Sequence, residues 1–246
     1  MNMTFSLSCV FSLFLALGFC REPQIHVCTV ASQESEGFHQ LLDSCDRYGI
    51  AMTVLGKNKP LLGLSHKLIY LEEYLETLKD RDIVLYVDAD DVLFLASSEK
   101  IKQKFLEMNV PFLISVERFC WPDAELKNAY PIAPTTFKYI NSGSFIGYVD
   151  QIKQILFDID APTLKNDQGL LTHHYFEHPE LYAFDYHCEL FLPLAGVIPQ
   201  EINIDLQRKT LSCTETGSKP CLIRGNGGSR PIYQEVYNQF YHSEHR

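Results

Sequence analysis

Short apolar segments that favour strands alternate with amphipathic segments of helical period through the first half of the chain. The predicted strands are residues 25–31, 51–55, 83–87 and 110–116. The segment after the first strand carries apolar residues at helical spacing, and Gly49 stands just past its end: Phe38, Leu41, Leu42, Cys45 and Tyr48. Strand–helix alternation is typical of a mostly parallel sheet covered on both faces. The sequence therefore predicts an α/β fold with a mostly parallel central sheet flanked by helices.

Three carboxylates follow one of these strands. The apolar run Ile83 to Val87 predicts a fully buried strand, and Asp88, Asp90 and Asp91 come directly after it. Ligands of such sheets bind beyond the carboxyl ends of the strands. Clustered carboxylates provide the hard oxygen ligands that Mg²⁺ or Mn²⁺ prefer. Two interpretations are open on this stretch alone: a metal–diphosphate site, and a solvated acidic turn.

The composition excludes some classes of protein. A hydrophobic content of 46% and 246 residues indicate a packed globular chain. The net charge of −10 argues against non-specific binding to nucleic acid or to anionic membranes. No linker or repeat interrupts residues 21–246, which predicts a single domain. We expect a nucleotide-binding half over about 24–120, after the rule that ligands bind beyond the carboxyl ends of the strands, and an acceptor half over about 121–246.

The first 20 residues contain no charged side chain and are rich in Leu, Phe and Val, with Arg21 following at once. This pattern predicts a secretory signal peptide over residues 1–20, and an uncleaved N-terminal anchor is the alternative. No later segment is apolar for long enough to cross a bilayer. We therefore expect the protein in the secretory pathway or outside the cytoplasm: in the ER lumen, in a periplasm or secreted.

Cysteine usage agrees with that compartment. Two of the eight cysteines lie in the predicted leader, which leaves an even number. Cys213 and Cys221 flank a loop rich in Thr, Gly, Ser and Pro, and we expect them to form a disulfide. Cys28 and Cys45 fall on the predicted core faces of a strand and a helix, where buried free thiols are expected.

Several short motifs follow one another in a particular order along the chain. They are Thr29-Val30-Ala31-Ser32, Lys67, Asp88-x-x-Asp91, Phe119-Cys120-Trp121-Pro122-Asp123, Tyr139 to Tyr148, Asn166-Asp167-Gln168, and Gly225-Asn226-Gly227. Through these motifs the chain resembles the glycosyltransferase domain of lysyl hydroxylases and the related procollagen galactosyltransferase-like enzymes. The resemblance covers roughly Val27 to Tyr237.

The resemblance implies a GT-A fold that binds a UDP-sugar through a divalent metal, normally Mn²⁺. By position, Asp88 and Asp91 are the metal-binding acids, and Asp90 adds a third, so that any two of the three could hold the ion. Thr29 is expected against the uridine. Lys67 is expected to meet the diphosphate, because phosphate oxygens accept strong charge-assisted hydrogen bonds; its alternative is a solvated helix residue.

The resemblance also implies a sugar pocket. Trp121 is expected to pack against the sugar, with an ordinary core position as the alternative. Asn141 and Ser142 offer short polar groups beside Gly143, or else form a plain turn. Asp167 is expected as the catalytic carboxylate, or as an acid that favours the start of a helix.

The chain departs from the family near its C-terminus. The family motif is His-Gly-Asn-Gly, whose histidine is a metal ligand, whereas this chain has Arg224 before Gly225, Asn226 and Gly227. An arginine has no lone pair to give to a metal. Three outcomes are open: the aspartates, UDP and water hold the metal while Arg224 touches the diphosphate; Arg224 supplies the positive charge itself; or activity is lost.

The function expected from the resemblance is transfer of galactose or glucose from UDP to an acceptor hydroxyl. Hydroxylysine or galactosyl-hydroxylysine of a collagen-like protein is the acceptor that the resemblance suggests. The alternative is a degenerate, non-catalytic module of the same fold that binds sugar or collagen. An enzyme that transfers phosphoryl or nucleotidyl groups is a further alternative, although the chain lacks a phosphate-binding Gly–Lys loop.

Overall fold

The computed structural model describes residues 21–159 and 166–241, so the predicted signal peptide lies outside the described residues. The strands are β1 (Ile25–Val30), β2 (Met52–Leu55), β3 (Ile83–Val87), β4 (Val92–Phe94), β5 (Phe112–Glu117), β6 (Tyr139–Tyr148), β7 (Ala183–Phe184), β8 (Phe191–Pro193), β9 (Ile202–Asp205), β10 (Thr210–Cys213) and β11 (Leu222–Arg224). The α-helices are α1 (Glu36–Tyr48), α2 (His66–Leu75), α3 (Ser98–Met108), α4 (Val149–Ile159), α5 (Asp167–Glu177) and α6 (Arg230–Tyr241).

Helix α1 shows how local sequence sets an element. The Ser35 hydroxyl accepts a hydrogen bond of 3.0 Å from the Phe38 N–H at the helix start. Gly49 ends the helix in the left-handed conformation with φ of 63°, which a glycine adopts without steric cost. The helix therefore ends where the sequence predicts, just before Gly49.

A six-stranded sheet with the order β2-β1-β3-β6-β5-β7 forms the centre. Strands β1, β2 and β3 are mutually parallel, β5 is parallel to β7, and β6 is antiparallel to both β3 and β5. No α-helix connects β5 to β6, and a strand that returns without a crossover helix pairs antiparallel. The predicted α/β class is confirmed, with a mixed central sheet.

Both faces of this sheet are covered by apolar side chains. Helices α2, α4 and α5 pack on one face with Leu71, Ile152 and Leu171. Helices α1 and α3 pack on the other with Leu41 and Phe105. Removal of this apolar surface from water is the main stabilising contribution to the fold.

A second sheet of three short strands brings the end of the chain to the acid cluster. Its order is β4-β11-β8, and β11 pairs antiparallel with β4 so that Arg224 lies opposite Val92. The N–H of Gly225 then donates to the carbonyl oxygen of Asp91 at 2.7 Å. Arg224 is thereby positioned beside residues that precede it by more than a hundred positions.

Strand β8 is short and covers only Phe191–Pro193. The buried carboxylate of Asp185 accepts hydrogen bonds from the backbone N–H groups of Glu189, Leu190 and Phe191. This carboxylate satisfies backbone donors that a longer strand would have given to a neighbour.

The disulfide predicted between Cys213 and Cys221 is not formed, since both are free, buried thiols. Cys213 packs in the cluster between the small sheet and α6, and Cys221 packs in the cluster beneath α1 and α3. The two side chains therefore lie in different apolar layers. Cys28 and Cys45 are buried free thiols as predicted, and burial raises the pKa of Cys45 to about 12.

Within the described residues no helix is long and apolar enough to span a membrane.

Candidate active site

Asp88 lies at the centre of the site, one residue beyond β3. Its N–H donates to the carbonyl oxygen of Gly143 at 2.8 Å, which ties it to the neighbouring strand β6. Its Oδ1 accepts hydrogen bonds from Lys67 Nζ at 2.7 Å and from the Tyr86 hydroxyl at 3.0 Å. Its Oδ2 accepts one from Arg224 Nη2 at 2.5 Å. Both oxygens of the carboxylate are thus occupied by cationic side chains.

The guanidinium of Arg224 joins three polar side chains. Its Nε lies 3.1 Å from each carboxylate oxygen of Asp91. Its Nη1 donates to Asn141 Oδ1 at 2.5 Å, while Nη2 contacts Asp88. A guanidinium that contacts two carboxylates through different nitrogens is held in one orientation. Arg224 therefore occupies the space between the two acids that the resemblance assigns to a metal.

Lys67 connects this cluster to α5. Its Nζ lies 2.7 Å from Asp167 Oδ2 as well as 2.7 Å from Asp88. Asp167 is the first residue of α5 and is buried, and the N-cap of this helix is Asn166, whose side chain accepts from Gly169 N–H. A carboxylate near a helix N-terminus is stabilised by the helix dipole. Asp167 is therefore positioned to hold Lys67.

The charges set the protonation states of this cluster. Burial acts to raise the pKa of Asp88, but the charges of Lys67 and Arg224 outweigh it and lower the pKa to about 2. Burial acts to lower the pKa values of Lys67 and Arg224, and their acidic neighbours raise both above the usual values. Asp88 is consequently ionised, and both basic side chains are charged, at neutral pH.

Asp90 does not join Asp88 and Asp91. Its side chain is exposed and accepts a hydrogen bond from the Ser35 hydroxyl at the start of α1. Its carbonyl oxygen accepts from Arg230 Nη1 at 2.6 Å. Helix α1 approaches closely here, since a Cβ on Gly37 would lie 1.9 Å from that carbonyl oxygen. Asp90 therefore lies apart from the other two acids in this structure, and the expectation that any two of the three could hold an ion stays a prediction.

The donor set does not fit a divalent cation. In the described part of the chain no three His, Cys, Asp or Glu side chains are arranged to hold a metal. The oxygens of Asp88 and Asp91 face Lys67 and Arg224 instead. A divalent ion between the two carboxylates would lie beside the guanidinium, which repels it, and would have to compete with Lys67 and Arg224 for the carboxylate oxygens. The arrangement therefore favours Arg224 over an ion in this position.

A second polar cluster surrounds the buried carboxylate of Glu117, at the end of β5. Its Oε1 accepts from the side-chain amides of Asn141 at 2.7 Å and Gln168 at 3.1 Å, and its Oε2 accepts from that of Asn226 at 2.9 Å. Burial raises the pKa of Glu117, and these amide hydrogen bonds oppose the rise. The carboxylate is thus held by neutral donors.

Two cavities open on these clusters. One, of about 480 Å³, is lined by Lys67, Asp88, Asp90, Asp91 and other residues. The other, of about 630 Å³, is lined by residues of the second cluster together with Trp121 and Gly227. Arg224 lines both. The arrangement places a charged chamber beside one lined by amides, apolar side chains and the carboxylate of Glu117, with one guanidinium at their border.

Some of the other residues predicted for the site line the larger cavity, and some lie away from both cavities. Trp121 is 53% exposed and lines the larger cavity, which rules out the core position considered for it. Asn226 lines the same cavity, and Gly225 packs so closely on Tyr233 that a Cβ would lie 2.7 Å from it. Thr29 is fully buried in β1 and lines neither cavity.

Ser142 is also buried, and its N–H donates to Gln168 Oε1 at 3.1 Å. It supports the second cluster and does not face a cavity.

Sequence reasoning missed Glu117 and Gln168 as site residues. Glu117 ends an apolar strand in the same way as Asp88 ends β3, so the signal that revealed Asp88 was present. Gln168 follows Asp167, and its Nε2 also donates to the carbonyl oxygen of Trp121 at 2.8 Å. No local pattern marks a single glutamine on a helix as part of a polar network.

The fold is that of a GT-A type glycosyltransferase. The structure is similar to the crystal structure of a glycosyltransferase involved in the glycosylation of the major capsid of PBCV-1, with a TM-score of 0.51 and 12% sequence identity. The similarity covers 87% of this chain and 99% of that one. A family model described as the PLOD GT domain matches residues 21–243, and the chain belongs to this family of glycosyltransferase domains.

Curated relatives agree with this assignment. The chain is 31% identical over 229 residues to the multifunctional procollagen lysine hydroxylase and glycosyltransferase of Caenorhabditis elegans, covering 85% of this chain and 31% of the relative. It is 26% identical over 219 residues to the procollagen-lysine,2-oxoglutarate 5-dioxygenase 2 of Homo sapiens, covering 83% and 30%. The chain therefore spans about a third of the length of these relatives.

Proposed function

We propose that this chain transfers a hexose, galactose or glucose, from UDP to a hydroxyl group of a protein acceptor. The observation that carries the proposal is the pair of adjoining cavities that share Arg224. Lys67 and Arg224 suit the diphosphate, because phosphate oxygens accept charge-assisted hydrogen bonds. The amides around Glu117 and the exposed face of Trp121 suit a sugar, which has many hydroxyls and one apolar face.

In the proposed reaction the bond between the hexose C1 and the UDP oxygen breaks, and UDP leaves with the bonding electrons. The acceptor oxygen forms the new bond to C1, and its proton passes to water. Asp167 is the candidate catalytic carboxylate from the sequence, but it lines neither cavity and is paired with Lys67. We propose that its role is to position Lys67 for the diphosphate.

Hydroxylysine, or galactosyl-hydroxylysine, of a collagen-like protein is the acceptor we propose. The Caenorhabditis elegans relative, named as a procollagen lysine hydroxylase and glycosyltransferase, supports this choice. The predicted leader supports a site of action in the secretory pathway. The acceptor would approach through the larger cavity, beside Trp121.

The test is incubation with UDP-galactose or UDP-glucose and a collagen-like peptide that contains hydroxylysine. We expect release of UDP and a gain of one hexose in the peptide mass. A peptide with lysine in place of hydroxylysine is the control and should gain no hexose.

A non-catalytic, sugar-binding role is the second candidate. The observation that favours it is the mutual neutralisation of the charged side chains: Lys67 and Arg224 are paired with Asp88, Asp91 and Asp167. Binding of UDP-sugar without turnover on hydroxylysine peptides, free sugars or water would support this role over the enzyme.

A further inference from the structure

The geometry points to Arg224 as the resident cation of the donor site: we propose that its guanidinium binds the diphosphate of the nucleotide sugar and that binding requires no divalent metal. The inference rests on the proposed function, since it concerns how the same site holds UDP. It assigns to one side chain of this chain the charge that a bound ion would otherwise supply.

The position of the guanidinium is the first step of the argument. Arg224 bridges Asp88 and Asp91, with its Nη2 2.5 Å from one carboxylate and its Nε 3.1 Å from both oxygens of the other. Of the three described acids after β3, Asp88 and Asp91 converge on Arg224. Asp90 does not, because its carboxylate binds Ser35 at the start of α1. The positive charge is therefore located between the converging acids.

The surroundings of Arg224 are shaped for it. A Cβ on Gly143 would lie 1.8 Å from Nη1, so the guanidinium packs directly on the backbone of β6. Asn141, two residues earlier on that strand, accepts from the same nitrogen. Pairing of β11 with β4 fixes the backbone of Arg224 at the other end. A side chain held from both ends has little freedom left to lose when a ligand binds.

Hydrogen-bond donors remain for a ligand. An arginine side chain has five N–H groups and a lysine ammonium has three. Within the described residues three donors of Arg224 are engaged, by Asp91, Asn141 and Asp88. Lys67 has two carboxylate partners. Both side chains line the smaller cavity. Phosphate oxygens that enter this cavity therefore meet unused donors of two cationic side chains, whose other donors are paired with three carboxylates.

The chemistry fits the leaving group of the proposed reaction. Negative charge develops on the diphosphate as the bond to the hexose breaks, and a fixed guanidinium stabilises that charge without reorganisation. Arginine is suited to bidentate binding of phosphate and stays protonated throughout. The carboxylates of Asp88 and Asp91 then act to hold Arg224 in position.

The test measures UDP binding by calorimetry, in excess EDTA and in excess Mn²⁺. For the wild-type protein we expect dissociation constants that differ by less than about threefold between the two conditions. Arg224→His should bind UDP at least about tenfold more weakly in EDTA and should recover affinity with Mn²⁺, since imidazole has a lone pair for a metal. Arg208→His, at an exposed arginine of the β9–β10 hairpin, is the matched control.

Mn²⁺ binding is followed in parallel by electron paramagnetic resonance. We expect no immobilised Mn²⁺ in the wild type and a bound ion in Arg224→His. If Arg224→His does not fold, as judged by circular dichroism, Arg224→Lys replaces it and should retain metal-independent binding at reduced affinity.

The possible outcomes separate the two proposals. Wild-type protein that binds UDP only with Mn²⁺ overturns the inference and leaves the proposed function standing. An Arg224→His variant that binds UDP in EDTA as tightly as the wild type also overturns it. Absence of UDP binding under both conditions overturns the proposed function and the inference together.

Discussion

The two carboxylates at the centre of the site are held in opposite ways. Asp88 and Glu117 stand at the carboxyl ends of β3 and β5, the two strands that flank β6. Asp88 is bound by the cations Lys67 and Arg224. Glu117 is bound by the neutral amides of three side chains. The same position in the fold therefore carries an ion-paired acid on one strand and an amide-bound acid on the other.

The difference appears in the pKa values. Cationic neighbours outweigh burial at Asp88 and lower its pKa to about 2. Burial prevails at Glu117, where amide hydrogen bonds and the charge of Arg224 oppose it less, and its pKa is raised. Charged partners suit a ligand with charge, and a network of neutral donors and acceptors suits hydroxyl groups. The comparison predicts that the two clusters serve separable parts of the nucleotide sugar.

The largest effect is expected for Asp88→Asn. The amide removes the charge that Lys67 and Arg224 share and directs an N–H group at one of them. Turnover of the UDP-hexose should fall by about 100-fold, measured as UDP release, while circular dichroism shows the fold retained.

Asp46→Asn, on the exposed face of α1, is the control for that substitution. It removes one negative charge far from the cluster and should leave the rate within about twofold of the wild type. A rate for Asp88→Asn equal to that of this control would remove the ion-paired cluster from the mechanism.

A smaller and more selective effect is expected for Glu117→Gln. One acceptor oxygen becomes a donor amide, so one of the three amide partners loses its acceptor. We expect kcat/KM for the UDP-hexose to fall about tenfold while the dissociation constant of UDP alone changes less than about twofold.

Calorimetry with UDP and kinetics with the UDP-hexose measure the two quantities separately. Glu72→Gln, at an exposed position of α2, is the matched control. An equal loss of UDP affinity and of turnover in Glu117→Gln would contradict the separation of the two clusters.

The smallest effect is the pH dependence of stability, and it should have opposite sign at the two carboxylates. The lowered pKa of Asp88 means that its contribution is present above its ordinary value of 3.8 and is lost as the pH falls toward 2. The raised pKa of Glu117 means that its contribution is complete below its ordinary value of 4.5 and is lost as the pH rises through the raised value.

Urea unfolding of the wild type and of each variant across this pH range measures both contributions. From neutral pH down to 4.5, the wild type should gain stability relative to Glu117→Gln. Over the same interval its advantage over Asp88→Asn should stay constant, and it should shrink only below 3.8. The prediction would be contradicted if the stability difference between wild type and Glu117→Gln changed with pH in the same way as the difference between wild type and Asp88→Asn.

Several features of the site could be predicted because they depend on adjacent residues. An apolar run followed by Asp88 predicts an acid at the edge of a sheet, whatever packs around it. The position of Trp121 followed from the family resemblance, and the structure places its exposed side chain at the larger cavity. The same reasoning could not predict that Asp90 lies apart from Asp88, since both follow the same strand within three residues.

Local sequence determined the order of the elements, the ends of helices such as α1, and the location of the acid cluster, because periodicity and caps are short-range properties. Only the tertiary structure decided which cations meet those acids. Arg224 and Asp91 are separated by 133 positions and are joined by β4 and β11, two strands of three residues each. Strands this short leave no periodic signal, so their pairing depends on packing of the whole chain.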